Sequence, residues 1–145
     1  MRLKIKEFDG LTLRELYEIL RLRFNVFILD QNSIYNEYDQ LDYRATHIFI
    51  EEQKEIIAYL RVYRRTIHEV CFGRVAVHPD HRGKKLGRKI IEKCIEMVKS
   101  RWKAQYIVIA AQDYLKSFYE SFGFIKSSEV FNDGGVFHIN MTLKI

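Results

Sequence analysis

The sequence predicts an α/β fold: a mixed, mostly antiparallel sheet with helices packed on it. Three observations predict it. Segments near 12–29 and 84–100 repeat apolar residues at helical spacing. Several shorter segments are apolar runs or alternations of strand length. Together the elements run β-α-β-β-β-α-β-α-β-β, and a strand–helix–strand unit at 70–111 demands a parallel, right-handed crossover within antiparallel hairpins. At 145 residues the chain suits one domain, 1–145, able to bury a real core.

Leu3 and Ile5 alternate with basic neighbours as a first strand. Thr12-Leu-Arg-Glu15 reads as a capping box, with Leu11 and Leu16 as its staple. Leu13, Leu16, Leu20, Phe24 and Phe27 then mark a helical face. Residues 30–45 change character: Asp30, Glu37, Asp39 and Asp42 mix with Tyr35, Tyr38 and Tyr43, as in a loop or broken helix.

His47–Glu51 and Ile56–Tyr63 are strand-like around a turn at Gln53 and Lys54. Val70–Val77 is nearly continuous in apolar residues apart from Arg74, the pattern of a strand covered on both faces, and Pro79 ends it. Leu86, Ile90, Cys94 and Val98 recur every four residues in the second helix. Tyr106–Ala111 is another fully apolar strand. Asp113 is placed to cap a third helix, with Leu115, Phe118, Tyr119 and Phe122 on one face and Gly123 as its stop. Phe124–Phe131 and Val136–Leu143 flank Asn132-Asp-Gly-Gly135 as a hairpin.

Composition excludes several function classes. No apolar stretch approaches the roughly 20 residues of a membrane span, and Met-Arg-Leu-Lys-Ile is no signal peptide. Cys71 and Cys94 form no Cys-x-x-Cys motif and suit a reducing cytoplasm as small buried hydrophobes. His78-x-x-His81 has metal-site spacing but lacks companions, so no metal is expected. The net charge of +5 fits an anionic ligand or nucleic acid. Arg61, Arg64, Arg65 and the 82–93 cluster lie on different elements, without an RNA-binding or helix-turn-helix signature, so no nucleic acid partner is expected. Nor is a membrane, and either a monomer or a homodimer is compatible with the chain.

Arg82, Lys84, Lys85, Arg88 and Lys89 crowd the first turns of the second helix. A helix N-terminus is already positive, and each exposed cation there is unfavourable by roughly 0.3–1 kcal/mol. An anion resolves the conflict, because free N–H groups, the dipole and several cations then converge on it. Gly83 and Gly87 allow close backbone approach. Neither a Walker loop nor Gly-x-Gly-x-x-Gly is present.

The segment Arg82-Gly83-Lys84-Lys85-Leu86-Gly87-Arg88, following Val75-Ala76-Val77, resembles the acyl-CoA signature of the GNAT acetyltransferases, with Lys85 replacing a glycine. Ala111-Gln112-Asp113 through Phe118-Tyr119 to Gly123-Phe124 resembles the second signature of that family. Leu22-Arg23-Phe-Asn-Val26-Phe27, Asp30-Gln31, Gly73-Arg74-Val75 and His138-Ile139 are similar to its ElaA-type branch.

The resemblance implies a GNAT fold with a splayed central strand pair. It also implies direct acetyl transfer from acetyl-CoA to an amine of a small molecule or peptide. Val75, Ala76, Val77 and Arg82 through Arg88 would bind the cofactor, with Lys85 offering its ammonium to the pyrophosphate. Tyr119 would supply the leaving thiolate with a proton, although its helix face also suits a core residue. Gln112 either bonds the cofactor or caps a turn. Arg23 and Gln31 are cleft candidates by the same resemblance, Arg23 alternatively serving its helix terminus. For the base, His47 and His138 compete with Glu37, Asp39, Asp42 and a water chain. The acids would also attract a cationic amine. The rival function is a non-catalytic acyl-CoA sensor on the same fold.

Overall fold

A computed structural model of the chain describes residues 1–31 and 37–145, so Tyr35 lies outside the described residues. Strands β1 (Arg2–Glu7), β2 (Thr46–Glu52), β3 (Glu55–Arg64), β4 (Glu69–Val77), β5 (Tyr106–Gln112), β6 (Ile125–Lys126), β7 (Phe131–Asp133) and β8 (Val136–Lys144) form one mixed sheet. Its order is β1-β2-β3-β4-β5-β8-β6, with β7 also on β8. Among the described residues only β4 and β5 pair in parallel; the other pairings are antiparallel.

Helix α1 (Leu13–Arg23) starts with the expected capping box. Thr12 Oγ1 accepts from the Glu15 N–H at 3.0 Å, and Glu15 Oε1 accepts from the Thr12 N–H at 2.9 Å. Lys4 and Lys6 on β1 also bind the Glu15 carboxylate, at 3.0 and 2.7 Å. The buried face is not the one expected. Ile19, Leu22 and Val26 pack on Phe49, Ile56, Tyr59 and Ala76, whereas Leu13 is 86% exposed and Phe24 49%. Leu13 and Phe24 share a stripe nearly opposite the buried one, and both stripes have helical period, so periodicity alone does not choose between them. The helix widens into a π-helical segment over Phe24–Asp30.

Helix α2 (Leu86–Met97) packs on the opposite sheet face, where Ile90, Ile91, Cys94 and Val98 join Ile48, Ile50, Leu60, Ile107 and Ile139. The third helix is shorter than expected. A 3-10 turn at Asp113–Leu115 leads into α3 (Lys116–Glu120), and Gln112 rather than Asp113 holds the cap position, without a side-chain bond. The expected strand 124–131 survives only as β6 and the first residue of β7, since the rest of it makes no ladder. Both tight turns have paired positive φ, at Gln53 and Lys54 (51° and 67°) and at Gly134 and Gly135 (62° and 83°), as two-residue hairpins require. Among the described residues no helix is long and apolar enough to cross a membrane.

Candidate active site

The site follows from a failure of pairing. β4 and β5 are in register only at Glu69–Tyr106, Val70–Ile107 and Cys71–Val108. Beyond those pairs the strands splay, leaving backbone groups of β4 and β5 facing a gap. A bulge on β4 lies just beyond the last paired residues. Tyr59 pairs with Ala76 and Arg61 with Gly73, so Arg74 and Val75 together oppose Leu60. Arg74 adopts φ 51°, a left-handed conformation that costs a non-glycine residue roughly 1–3 kcal/mol and is characteristic of functional sites.

The gap opens into a cleft of about 760 Å³, within the usual range for cofactor pockets. Alternation along the strands divides its walls between the two sheet faces. On the α2 face lie Phe72, Val75, Val77, Leu115, Phe118 and Tyr119, next to Gly87 and Arg82 at the helix entry. On the α1 face lie Arg61, Tyr63, Val108, Gln112, His138 and Asn140, with Phe27 and Gln31 beyond them. Gln112 Nε2 donates to Gln31 Oε1 at 3.0 Å, joining the tip of β5 to the turn after the π-helix. The strand expected to be apolar throughout, β5, therefore buries one face only. Ile107, Ile109 and Ala111 are covered, while Ala110 is exposed to the cleft.

At the entry to α2, Lys85 has φ 60° and ψ 28°, the left-handed conformation in which glycine is preferred. Gly83 precedes it at φ 82°. No side chain caps this helix and no acid occupies its first turn, so its N–H groups and dipole stay available. The cations there diverge. Arg82 reaches Asp30 at 2.9 Å and the Val77 carbonyl at 3.3 Å. Lys84 Nζ lies 3.2 Å from His81 Nδ1. Arg88 donates to Ser121 Oγ at 2.8 Å and covers the rings of Phe118 and Phe122. Leu86 has its side chain in the core, and Ala76 points its methyl at the α1 cluster, so each offers the cleft backbone only.

Tyr119 is 6% exposed, against Phe72, Phe118 and Phe124. Burial, helped by nearby Tyr114, pushes its hydroxyl well above the usual tyrosine value, so it stays protonated at neutral pH. Tyr119 therefore packs in the core while also lining the cleft.

Several expected acceptor residues are elsewhere. Arg23 is 1% exposed and forms ion pairs with Glu37 and Asp42, the latter at 2.8 Å. Arg61 pairs with Asp39 and Asp42, and Arg74 with Glu37 and Asp39. The three acids expected to draw in a cationic amine are therefore matched by three guanidinium groups. The Asp39 carboxyl is pushed up by burial, but Arg61 and Arg74 outweigh that and hold it at about 2. His47 is buried with both ring nitrogens used: Nδ1 meets the Tyr59 hydroxyl at 2.7 Å and Nε2 the Asp42 carbonyl at 3.0 Å. Burial lowers its pKa, so it is a structural histidine. His138 and Gln31, in contrast, stand on the cleft wall. His78 accepts from the Asp80 N–H at 3.0 Å, a capping role, and His81 lies against Lys84 and Glu52.

Arg61, Tyr63, Arg74 and Asn140 also line the cleft, beyond the residues expected from sequence. The one available signal was Arg74, a lone charge in an otherwise apolar strand.

A splayed parallel pair beside an uncapped helix entry is the architecture of an acyl-CoA-dependent acyltransferase. The model of the acetyltransferase (GNAT) domain family matches residues 18–145. The chain belongs to this GNAT family, in its ElaA-like branch, and its class of chemistry is acyl transfer. It is 34% identical to the protein ElaA of Escherichia coli over 139 residues, covering 93% of this chain and 91% of ElaA. The crystal structure of E. coli ElaA superposes with a TM-score of 0.91 at 32% identity, covering 98% of this chain and 99% of that one. An acyl-CoA N-acyltransferase from Pseudomonas aeruginosa gives a TM-score of 0.92 at 31% identity, with 97% of each chain covered. A GNAT acetyltransferase from Elizabethkingia anophelis, solved with acetyl-CoA bound, shares the fold at 15% identity with a TM-score of 0.72, covering 99% of this chain and 98% of that one.

Proposed function

We propose that the protein is an acetyl-CoA-dependent N-acetyltransferase that moves the acetyl group directly to a primary amine of a small molecule or peptide. The observation that carries this reading is the splay of β4 from β5, with an uncapped helix entry at one end and the Tyr119 hydroxyl on its wall. Free backbone groups near Val75 and Val77 suit the amide-bearing pantetheine arm. The N–H groups from Lys85 to Arg88, with Lys84 and the Lys85 ammonium, suit the pyrophosphate. The acetyl-CoA bound by the E. anophelis fold neighbour supports the acyl donor.

In this reading the amine attacks the thioester carbonyl within the gap, main-chain donors stabilise the developing oxyanion, and Tyr119 gives its proton to the departing thiolate. Because Arg23, His47 and Glu37 are committed to each other's neighbourhood, their part is to hold the acceptor wall rather than to touch the acceptor. The two free, buried cysteines support a reducing compartment such as the cytoplasm.

The test is acetyl-CoA turnover against a panel of amines, polyamines and peptides, read as free thiol release. Release that depends on an added amine is the expected result. Tight acetyl-CoA binding without turnover on any acceptor would instead identify a sensor.

A further inference from the structure

The acceptor side of the cleft holds one titratable group whose bonding is only half used. His138 lies on β8 directly opposite Gln112, the last residue of β5, and lines the cleft. Its Nδ1 is 2.8 Å from the Val136 carbonyl oxygen, which has no hydrogen to give. Nδ1 must therefore carry the proton, and in the neutral ring Nε2 carries the lone pair. The ring is stacked on Phe131 of the neighbouring β7, with an interplanar angle of 24°, so its orientation is held from two sides. Among the described residues Nε2 has no hydrogen-bond partner.

Its face of the sheet matters as much as its tautomer. Ile139 and Met141 point into the α2-side core, so His138 and Asn140 point to the α1 face. Tyr119 belongs to the α2-side cluster. The histidine and the tyrosine thus stand on opposite sides of the gap between β4 and β5. Both residues line the same cleft, one from each face of the sheet. That division suits a thioester attacked from the α1 side whose sulfur departs towards the α2 side.

We infer that His138 is the general base for the acceptor amine, taking the proton of its ammonium form. This rests on the acetyl-transfer reading above. The ammonium gives one proton to His138 Nε2, making an imidazolium held by Val136, and the freed nitrogen lone pair forms the C–N bond to the thioester carbonyl carbon. The C–S bond breaks as the tetrahedral adduct collapses. The second amine proton replaces the one Tyr119 has given to the thiolate, and the imidazolium releases its proton to solvent. The sum is ammonium plus acetyl-CoA giving acetamide, CoA thiol and one proton.

His138→Asn tests this, because its amide can still donate to the Val136 carbonyl but offers no base. His138→Ala serves as the companion, and thermal melts establish that each variant is folded. Two probe acceptors are compared: a simple alkyldiamine, protonated at neutral pH, and hydroxylamine, a weak base that is already neutral there. With the diamine, His138→Asn should lower kcat about a hundredfold, the lower end for a lost general base, and leave the acetyl-CoA KM within twofold. With hydroxylamine the loss should shrink to a few-fold, since no proton has to be removed before attack.

Full diamine turnover in His138→Asn overturns the proposal, and so does an equal loss with both acceptors, which would mark a positioning role. A wild type that binds acetyl-CoA but turns over neither probe would overturn the base as proposed, and the transfer reading falls with it only when the wider amine, polyamine and peptide panel is also inert. Wild-type turnover with an undiminished variant would overturn the base alone.

Discussion

Replacing Tyr119 by Phe removes one oxygen and keeps the ring that packs between Phe72, Phe118 and Phe124, with centroids 6.3, 5.2 and 6.0 Å away. The structural cost should be small, because no hydrogen bond from the hydroxyl to a described residue is lost. Stability should change by less than about 1 kcal/mol, a shift of at most about 4 °C in Tm for a chain of this size. The kinetic cost should be large. A positioned general acid contributes about 10²–10⁴-fold, so kcat should fall at least about a hundredfold, near 2.7 kcal/mol of barrier. Acetyl-CoA affinity should hold within about twofold. Steady-state thiol release, an acetyl-CoA titration and a thermal melt on the same preparation separate the three effects. Turnover within twofold of the parent would remove Tyr119 from the chemistry; a melt lowered by 10 °C or more would show that the hydroxyl has a structural partner.

Two further perturbations test the surrounding frame. Lys85→Gly relieves a left-handed side-chain clash at φ 60°, and after the added chain entropy of glycine it should stabilise the fold by about 0.5 kcal/mol. The same change should weaken acetyl-CoA binding about two- to fivefold if the ammonium meets the pyrophosphate, and isothermal titration reporting no loss would end that role. Burial pushes the Glu15 carboxyl up, but hydrogen bonds from Lys6, the Thr12 N–H and Lys4 outweigh it and hold the group at about 2, against 4.5 unperturbed. A depressed folded value stabilises above the unfolded one, so this contribution is complete above about pH 4.5 and is lost as pH falls through 2. The shift corresponds to about 3 kcal/mol at neutral pH. Glu15→Gln should therefore unfold in less denaturant at pH 7 and match the parent near pH 2; parallel curves at every pH would refute the assignment.

The elements that were legible in the sequence had local causes. The capping box at Thr12–Glu15, the turns at Gln53 and Gly134, and the α2 stripe each follow from a few adjacent residues. The splay of β4 from β5 came from resemblance, because nothing local to Cys71 or Val108 marks where a parallel ladder stops. Hairpin pieces in 124–131 were overread for the opposite reason: β propensity is present, but little of that segment pairs. What the sequence leaves illegible at the site is long-range. Nothing near Arg23 in sequence announces that Glu37 and Asp42 will enclose it, nor that the acids of 37–42 will be neutralised by Arg61 and Arg74. His47 and His138 look alike as strand histidines. Only the third dimension shows that one has spent both nitrogens and the other one.

Lys85 turns the entry to α2 by its torsion angles rather than by being glycine. A side chain is thus attached at the turn where the anion is expected, in a left-handed conformation the backbone already holds. That makes position 85 a ready attachment point for a reporter. With the pyrophosphate at this turn, as proposed, Lys85→Cys labelled with a small environment-sensitive dye should report cofactor arrival in real time without any acceptor being known; no signal change on adding acetyl-CoA would refute that placement.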